Sequence, residues 1–250
     1  MTLGSGLSTV PIRAVFFDAG ATLLYPRTPV EDIYAREFRA DGCAFTAASL
    51  ADALSRAWEQ VRSEGPSDRY AGIHGEPAFW RGFVKRVRGF LDGGTVSEEA
   101  FRRLAAHFRD PASWAIYGDV FPALDALERR GLSLAVVSNW DSHLPALLQS
   151  LGLATRFQVL AVSAVEQTGK PEPEIFLRTC GRLSVSPGEA LHVGDSLRED
   201  YAGARAAGLS ALLLDRQDRH PDIPERIRSL SELPGRLTEP HLDILSRNFP

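Results

Sequence analysis

The sequence predicts an α/β protein with a parallel-sheet core and an inserted bundle of helices, and three observations support this prediction. The run Ala14-Val15-Phe16-Phe17 is apolar without alternation, which is typical of a strand buried on both faces. Amphipathic helical patterns fill the stretch that follows. From Val120 onward, strand and helix patterns alternate, as in a Rossmann-like parallel sheet with right-handed crossovers. We therefore assign residues 12–26 and 113–250 to a core domain and residues 27–112 to a helical cap domain.

Four amphipathic stripes predict the helices of the cap. The first follows Thr28-Pro29-Val30-Glu31, which matches a capping box with proline at the first helical position. The four helices are expected to end at Gly42, Gly65-Pro66, Gly93-Gly94 and Asp110-Pro111. Their short connections favour a bundle with aromatic residues in its core. Some polar cap residues face either a crevice of the core or only solvent: Arg36, Arg69, Tyr70 and His74.

Polar residues stand where the predicted core strands end. Four further strands are predicted, at residues 132–137, 159–162, 190–193 and 210–214. Asp18, Ser138 and Asp195 follow strands directly, and Lys170 ends the loop after another. Ligands of open α/β sheets bind beyond the carboxyl ends of strands, so we expect these side chains to converge on one crevice. Two carboxylates, a lysine and a hydroxyl suit phosphoryl transfer, although alone Ser138 could cap a helix, Lys170 could be a solvated surface residue and Asp195 could lie in a turn.

Lysine is rare in this chain. Of 28 basic residues only Lys85 and Lys170 are lysine, and the rest are arginine. A lysine in such a background indicates a place that needs a compact point charge.

In these motifs the sequence resembles the haloacid dehalogenase superfamily of hydrolases, most of which are phosphatases. The resemblance extends from about residue 15 to residue 215, and the inserted helices resemble the cap of its C1 branch. It rests on Asp18-x-x-x-Thr22-Leu23, Ser138-Asn139, Gly169-Lys170-Pro171 and Gly194-Asp195-Ser196-x-x-x-Asp200. The stretches from Val136 to Asp141 and from Lys170 to Pro173 are similar to the haloacid dehalogenase-like hydrolase domain-containing members.

The resemblance implies hydrolysis of a small phosphorylated metabolite, a phosphomonoester. Asp18 is the implied nucleophile, which attacks phosphorus and forms an aspartyl-phosphate that water then hydrolyses. Thr22, Ser138, Asn139 and Lys170 are the implied substrate-binding residues. Lys170 is also expected to keep Asp18 ionised.

The cofactor that the resemblance implies is Mg²⁺. Its protein ligands would be Asp18, the backbone carbonyl of Gly20 and Asp195, and Asp200 would support the water shell of the ion. Oxygen ligands of this kind are the ones that Mg²⁺ prefers.

One position departs from the pattern of the family. Its phosphatases have a second aspartate two residues after the nucleophile, which protonates the leaving oxygen and later accepts a proton from water. This chain has Gly20 there, followed by Ala21 in place of the usual glycine. Because such an acid typically contributes roughly 10²–10⁴-fold in rate, we expect weak activity and a gain on replacing Gly20 by aspartate. The nearest substitute in the sequence is Asp141.

Three alternatives remain open at this point. A metal-independent 2-haloacid dehalogenase would use Asp18 without an acid, since halide leaves unprotonated, but Asp195 would then be unexplained. A phosphonate hydrolase would need a cap lysine for a Schiff base, and Lys85 is the cap's only lysine. A catalytically impaired protein that only binds its ligand would also explain Gly20.

Composition argues against several other classes. The net charge of −4 provides no basic surface for nucleic acid, and no apolar run approaches the length of a membrane span. Residues 1–11 are expected to form a disordered leader without the features of a secretory signal. Cys43 and Cys180 are isolated, so we expect a reducing, cytoplasmic location.

Overall fold

The computed structural model describes residues 10–64 and 75–237. Within these ranges eight strands form one sheet of six and one of two. In chain order they are β1 (Ala14–Phe17), β2 (Leu24–Pro26), β3 (Trp114–Ile116), β4 (Ser133–Ser138), β5 (Val159–Val162), β6 (Ala190–Gly194), β7 (Ser210–Leu214) and β8 (Arg226–Ile227). The large sheet has the order β5-β4-β1-β6-β7-β8, and every pairing in it is parallel. The predicted Rossmann-like core is therefore confirmed.

The helical insertion lies between β2 and β3. Its helices are α1 (Val30–Ala40), α2 (Ala47–Ser63), α3 (Glu76–Leu91) and α4 (Glu98–Arg109). They pack around their own buried cluster, which includes Phe38, Leu50 and Phe83. Phe108 contacts both this cluster and the core of the sheet. The amphipathic stripes of the sequence thus become the packed faces of a bundle.

The remaining α-helices belong to the sheet. They are α5 (Val120–Arg129), α6 (Leu144–Ser150), α7 (Ser163–Glu166), α8 (Pro173–Leu183), α9 (Gly203–Ala206) and α10 (Leu233–Arg236). They cover both faces of β1, so Val15 and Phe17 pack into one buried cluster and Ala14 and Phe16 into the other. The sequence predicts one helix before β7, but the chain forms a π-helical turn, Leu197–Ala202, that continues as α9. None of the helices in the described ranges is long and apolar enough to span a membrane.

Two sequence predictions at the start of the insertion need correction. The chain does not become helical directly after Leu24, because β2 pairs antiparallel with β3 through Leu24↔Ile116 and Pro26↔Trp114. The predicted capping box at Thr28 is wrong. Pro29 is extended and is itself the N-cap, so α1 begins at Val30 without a side-chain cap.

Some predictions fall on residues outside the described ranges. These are most of the predicted leader, at residues 1–9, the predicted helix end at Gly65-Pro66, and the residues Arg69, Tyr70 and His74 of the predicted cap.

Candidate active site

Three strand ends bring the predicted polar residues to one edge of the sheet. Asp18 follows β1, and its backbone N–H donates to the carbonyl of Val193 at 3.0 Å, which continues the ladder toward β6. Ser138 ends β4, and Asp195 follows β6. Because β1 lies between β4 and β6, these residues gather at the carboxyl edge, where ligands of such sheets bind.

Lys170 joins this group as a buried cation between two carboxylates. Its Nζ donates to Asp18 Oδ1 and to Asp200 Oδ1, each at 2.6 Å, and the side chain is only 2% exposed. Burial disfavours the ammonium form, but the charges of Asp18 and Asp200 outweigh it and raise the pKa of Lys170. The lysine is therefore charged and fixed against the predicted nucleophile.

The loop that carries Lys170 is held by Asn139. The Asn139 side chain accepts a hydrogen bond from the Lys170 backbone N–H and donates to the Lys170 carbonyl, both at 2.8 Å. It also donates to Glu199 Oε2 at 2.8 Å. On the other side of the loop, Pro171 packs so closely on Gly203 that a Cβ there would lie 2.8 Å from Pro171 Cα. Asn139 thus fixes the position of Lys170, and its direct contact with substrate stays a prediction.

Asp200 is enclosed by hydrogen-bond donors. Its Oδ1 accepts from Lys170 and, at 2.9 Å, from His192 Nε2, and its Oδ2 accepts from the Ser196 backbone N–H at 2.9 Å. Burial opposes ionisation of Asp200, but the charge of Lys170 and the His192 hydrogen bond hold its pKa well below the usual range. A side chain at Gly194 would overlap the carboxyl group of Asp200, so glycine is required there.

The sequence analysis did not identify His192. This residue is fully buried in β6, and burial lowers its pKa, so the ring is a neutral donor to Asp200. The available signal was a histidine within the otherwise apolar run Ala190-Leu191-His192-Val193.

Three carboxylates converge beside Lys170. Oxygen atoms of Asp18, Asp195 and Asp200 all lie within 4.8 Å of one another. Asp195 is on the exposed side of the site, yet loss of water around its carboxyl group, together with the charges of Asp18 and Asp200, raises its pKa to about 8. Burial also raises the pKa of Asp18, against the opposing effect of Lys170 and the hydrogen bond with Ser138. Three carboxylates and one lysine form a cluster with many oxygen ligands, which is the kind of site that fits Mg²⁺.

Thr22 has a different environment from the other predicted substrate-binding residues. It is fully buried, and its hydroxyl oxygen has no hydrogen-bond partner among the described residues. Its backbone carbonyl accepts a hydrogen bond from Arg216 at 3.0 Å. The role of the Thr22 hydroxyl in phosphoryl binding stays a prediction.

A side chain at position 20, where the family has its second aspartate, would point toward an indole ring. A Cβ built on Gly20 would lie 3.2 Å from Cζ3 of Trp140, which packs on Trp114 with ring centroids 5.0 Å apart. Asp141, the nearest substitute acid in the sequence, accepts the backbone N–H of His143 at 3.1 Å just before α6. This hydrogen bond gives Asp141 a turn-forming role of the usual Asx kind.

The same loop contacts the helical insertion. Glu76, in the first turn of α3, is buried and accepts hydrogen bonds from the Ser142 backbone N–H at 2.7 Å and from its hydroxyl at 2.9 Å. The imidazole Nε2 of His143 donates to the carbonyl of Arg109 at 3.0 Å. The insertion therefore contacts the core through the segment that follows Ser138 and Asn139.

Comparison with known proteins agrees with this geometry. The model of the family described as haloacid dehalogenase-like hydrolases matches residues 12–208. This chain belongs to that family. As a haloacid dehalogenase-like hydrolase, it is 32% identical over 235 residues to the zebrafish (Danio rerio) haloacid dehalogenase-like hydrolase domain-containing protein 3, covering 91% of this chain and 97% of the relative. It is 34% identical to the glyceraldehyde 3-phosphate phosphatase of Methanopyrus kandleri, over 86% of this chain and 91% of that protein.

Solved structures that are similar to this chain include proteins named as phosphatases and proteins named as 2-haloacid dehalogenases. A phosphatase of this family from Thermococcus onnurineus is 28% identical with a TM-score of 0.64, covering 91% of this chain and 99% of that one. A 2-haloacid dehalogenase from Pseudomonas syringae is 29% identical with a TM-score of 0.57, covering 90% and 97%. The family and the fold are therefore established, and the choice between these two chemistries depends on the site of this chain.

Proposed function

We propose that this hydrolase is a Mg²⁺-dependent phosphomonoesterase that acts on a small phosphorylated metabolite through an aspartyl-phosphate at Asp18. The observation that carries the proposal is the cluster of Asp18, Asp195 and Asp200, whose oxygens lie within 4.8 Å of one another beside the buried Lys170. The phosphatase relatives support the choice of a phosphorylated substrate.

Asp18 is suited to act as the nucleophile. Lys170 and Ser138 both hydrogen-bond its carboxylate, which fixes the group at the end of β1 and opposes the rise in its pKa that burial causes. Its carboxylate oxygen would attack phosphorus, and the electron pair of the broken bond would leave on the ester oxygen. Lys170 and Ser138 would then stand beside the phosphoryl oxygens, where negative charge is concentrated.

Asp18, Asp195 and the carbonyl of Gly20 would hold the metal ion. Both oxygens of Asp200 already accept hydrogen bonds, so Asp200 would act by orienting Lys170 and water around the ion. When bound, Mg²⁺ would neutralise charge on the phosphoryl group and orient it.

Asp195 favours the phosphatase over the metal-independent dehalogenase. A metal-independent dehalogenase has no use for a metal-binding carboxylate, yet here Asp195 lies against Asp18 and Asp200, and loss of water around its carboxyl group together with these charges raises its pKa to about 8. A divalent cation relieves the repulsion among these carboxylates. The phosphonate alternative has less support, because Lys85 is exposed on α3 and lies near Glu98, so it has the environment of a surface residue.

The division into domains is part of the same proposal. Residues 27–112 would form a cap that covers the substrate, and residues 12–26 and 113–250 would form the catalytic core. The separate buried cluster of α1 to α4 and the contact of Glu76 with Ser142 support this division.

The test is phosphate release from small phosphate compounds, including an acyl phosphate, with and without Mg²⁺. We expect turnover that needs the metal and is lost in Asp18→Asn. The matched control is Asp125→Asn, which alters an exposed aspartate paired with Arg156 on the surface and should keep wild-type turnover. Metal-independent chloride release from a chloroacid would favour the dehalogenase. Phospholigand binding without turnover, unchanged in Asp18→Asn, would indicate a protein that only binds.

A further inference from the structure

We infer that the indole ring of Trp140 occupies the place beside Gly20 from which a general acid would protonate the leaving group. Without that acid, the site should select phosphate compounds whose leaving group needs no proton. Acyl phosphates and esters of acidic phenols are of this class. The inference rests on the proposed function and specifies its substrate.

The first step is the direction of position 20. Among the described residues, with the chain neighbours of Gly20 set aside, Trp140 Cζ3 is the one atom within 4 Å of a Cβ built there, at 3.2 Å. Few real Cβ contacts are so short, so even a methyl group at position 20 would press on the ring. A longer side chain that left position 20 in this direction would meet the indole.

The second step is that Trp140 is held in place. Its half-buried ring packs on Trp114, with ring centroids 5.0 Å apart, and against the hydrophobic cluster on that side of the sheet. Its backbone N–H donates to the Ser163 hydroxyl at 3.0 Å, and its carbonyl accepts from that hydroxyl at 3.1 Å. A ring fixed by both packing and backbone bonds is not easily displaced.

The third step is that nearby carboxyl groups have other partners. Asp141 accepts a backbone hydrogen bond before α6, and Glu76 is bound by Ser142. Asp195 and Asp200 lie in the carboxylate cluster with the nucleophile. The surface beside Gly20 is therefore an indole, which donates no proton to a leaving oxygen from its carbon edge.

The chemistry then selects the leaving group. When an Asp18 oxygen bonds to phosphorus, the old P–O bond breaks and its electron pair stays on the leaving oxygen. A carboxylate or an acidic phenolate is stable with that charge, whereas an alkoxide needs a proton, and the missing acid costs roughly 10²–10⁴-fold.

The second half of the reaction does not change this selection. Water attacks the aspartyl-phosphate, the pair returns to Asp18 as a carboxylate, and the proton of water passes to the phosphate formed or to solvent. The aspartyl-phosphate is itself an acyl phosphate, so this step also needs no acid for its leaving group.

The experiment compares four substrates at saturating Mg²⁺: acetyl phosphate, 4-nitrophenyl phosphate, phenyl phosphate and glycerol phosphate. We expect kcat/KM to be highest for the first two and at least about 10²-fold lower for glycerol phosphate. Comparable values for acetyl phosphate and glycerol phosphate would overturn the inference while leaving the phosphatase proposal intact. No phosphate from any of the four would instead contradict the proposed function.

Variants at the two positions sharpen the test. The sequence alone predicts a gain from Gly20→Asp, but the contact with Trp140 changes this expectation. Gly20→Asp alone should gain little with glycerol phosphate, because the new side chain meets Trp140. Gly20→Asp combined with Trp140→Ala should reduce the ratio of kcat/KM for acetyl phosphate to kcat/KM for glycerol phosphate by about tenfold or more. Trp140→Ala alone removes the ring but adds no acid, so it should keep the preference. A folded double variant that retains the whole preference contradicts the inference, and so does a large gain from Gly20→Asp alone. If the double variant does not fold, the wild-type preference decides.

Discussion

Glu76 accepts two hydrogen bonds from Ser142, one from its backbone N–H at 2.7 Å and one from its hydroxyl at 2.9 Å. Glu76 belongs to the helical insertion, and Ser142 belongs to the loop that begins at the predicted catalytic Ser138. This pair of a buried glutamate and a half-buried serine therefore links the insertion directly to the edge of the active site.

Replacement of Glu76 by alanine should weaken this link. The Ser142 N–H and hydroxyl would lose their charged acceptor, and a hydrogen bond to a charged group typically contributes roughly 1.5–3 kcal/mol. We expect the free energy of unfolding in urea to fall by that amount and KM for a phosphate substrate to rise. The control is Glu174→Ala, which removes an exposed pair with Arg178 and should cost less than about 1 kcal/mol. Equal stability of both variants would mean that Glu76 does not hold the insertion.

Replacement of Lys170 by methionine should change metal binding as well as turnover. It removes the cation between Asp18 and Asp200, which should destabilise the protein by roughly 3–5 kcal/mol. Because the carboxylates lose their buried counter-charge, Mg²⁺ should raise the melting temperature of the variant more than that of the wild type. Phosphate release should be lost.

The chain supplies its own control for Lys170. Lys85 is the other lysine of the sequence and is exposed on α3, so Lys85→Met should keep turnover, stability and the wild-type response to Mg²⁺. A Lys170→Met variant that responds less to Mg²⁺ than the wild type would contradict the placement of the ion beside Asp18.

Replacement of Gly203 by alanine should disturb the loop that carries Lys170. The new Cβ would lie 2.8 Å from Pro171 Cα, so the backbone would have to shift, which typically costs about 1–3 kcal/mol. We expect lower stability and lower kcat. The control is Gly181→Ala in α8, where a Cβ meets no atom within 4 Å and should stabilise the helix by about 0.5–1 kcal/mol. Unchanged kcat in a folded Gly203→Ala variant would show that the loop tolerates the shift.

Stability should depend on pH through Asp119. Burial opposes its ionisation, but hydrogen bonds from Arg216 and Ser229 outweigh this and lower its pKa below the usual 3.8. A pKa lowered by folding gives stability that is full above the unfolded pKa and is lost as the pH falls through the folded pKa. Asp119→Asn should therefore be less stable than the wild type at pH 7, by about 1.5–3 kcal/mol.

The difference between Asp119→Asn and the wild type should shrink as the pH falls below about 4. Urea unfolding at a series of pH values measures it, and Asp222→Asn, an exposed aspartate, is the control. A difference that stays constant across this range would assign the effect to packing and not to charge.

Much of the sheet could be predicted from the sequence because its strands are continuous apolar runs. Buried parallel strands such as Ala14–Phe17 have no polar face, and this pattern is visible locally. The antiparallel pair of β2 with β3 and the short strand β8 could not be predicted from the sequence. They have only three or two residues each, which is too few for a period to appear.

The convergence of the site residues followed from topology, whereas their neighbours did not. The order of strands places Asp18, Ser138 and Asp195 at one edge, and the structure brings them there with Lys170. The contacts of His192 with Asp200 and of Trp140 with position 20 could not be predicted, for a physical reason. A residue in a buried strand or a loop gives no local signal of which side chain it will touch across the fold, and both contacts depend on tertiary packing.

The pairing of β2 with β3 places the start and the end of the helical insertion side by side. Antiparallel partners such as Pro26 and Trp114 have Cα atoms roughly 5 Å apart, so the two ends of the insertion join the core at closely spaced points. A replacement segment with two ends at that spacing would enter and leave the core without strain in the sheet. A foreign bundle grafted between these strands should therefore leave the carboxylate cluster assembled only if it also replaces the contact of Glu76 with Ser142.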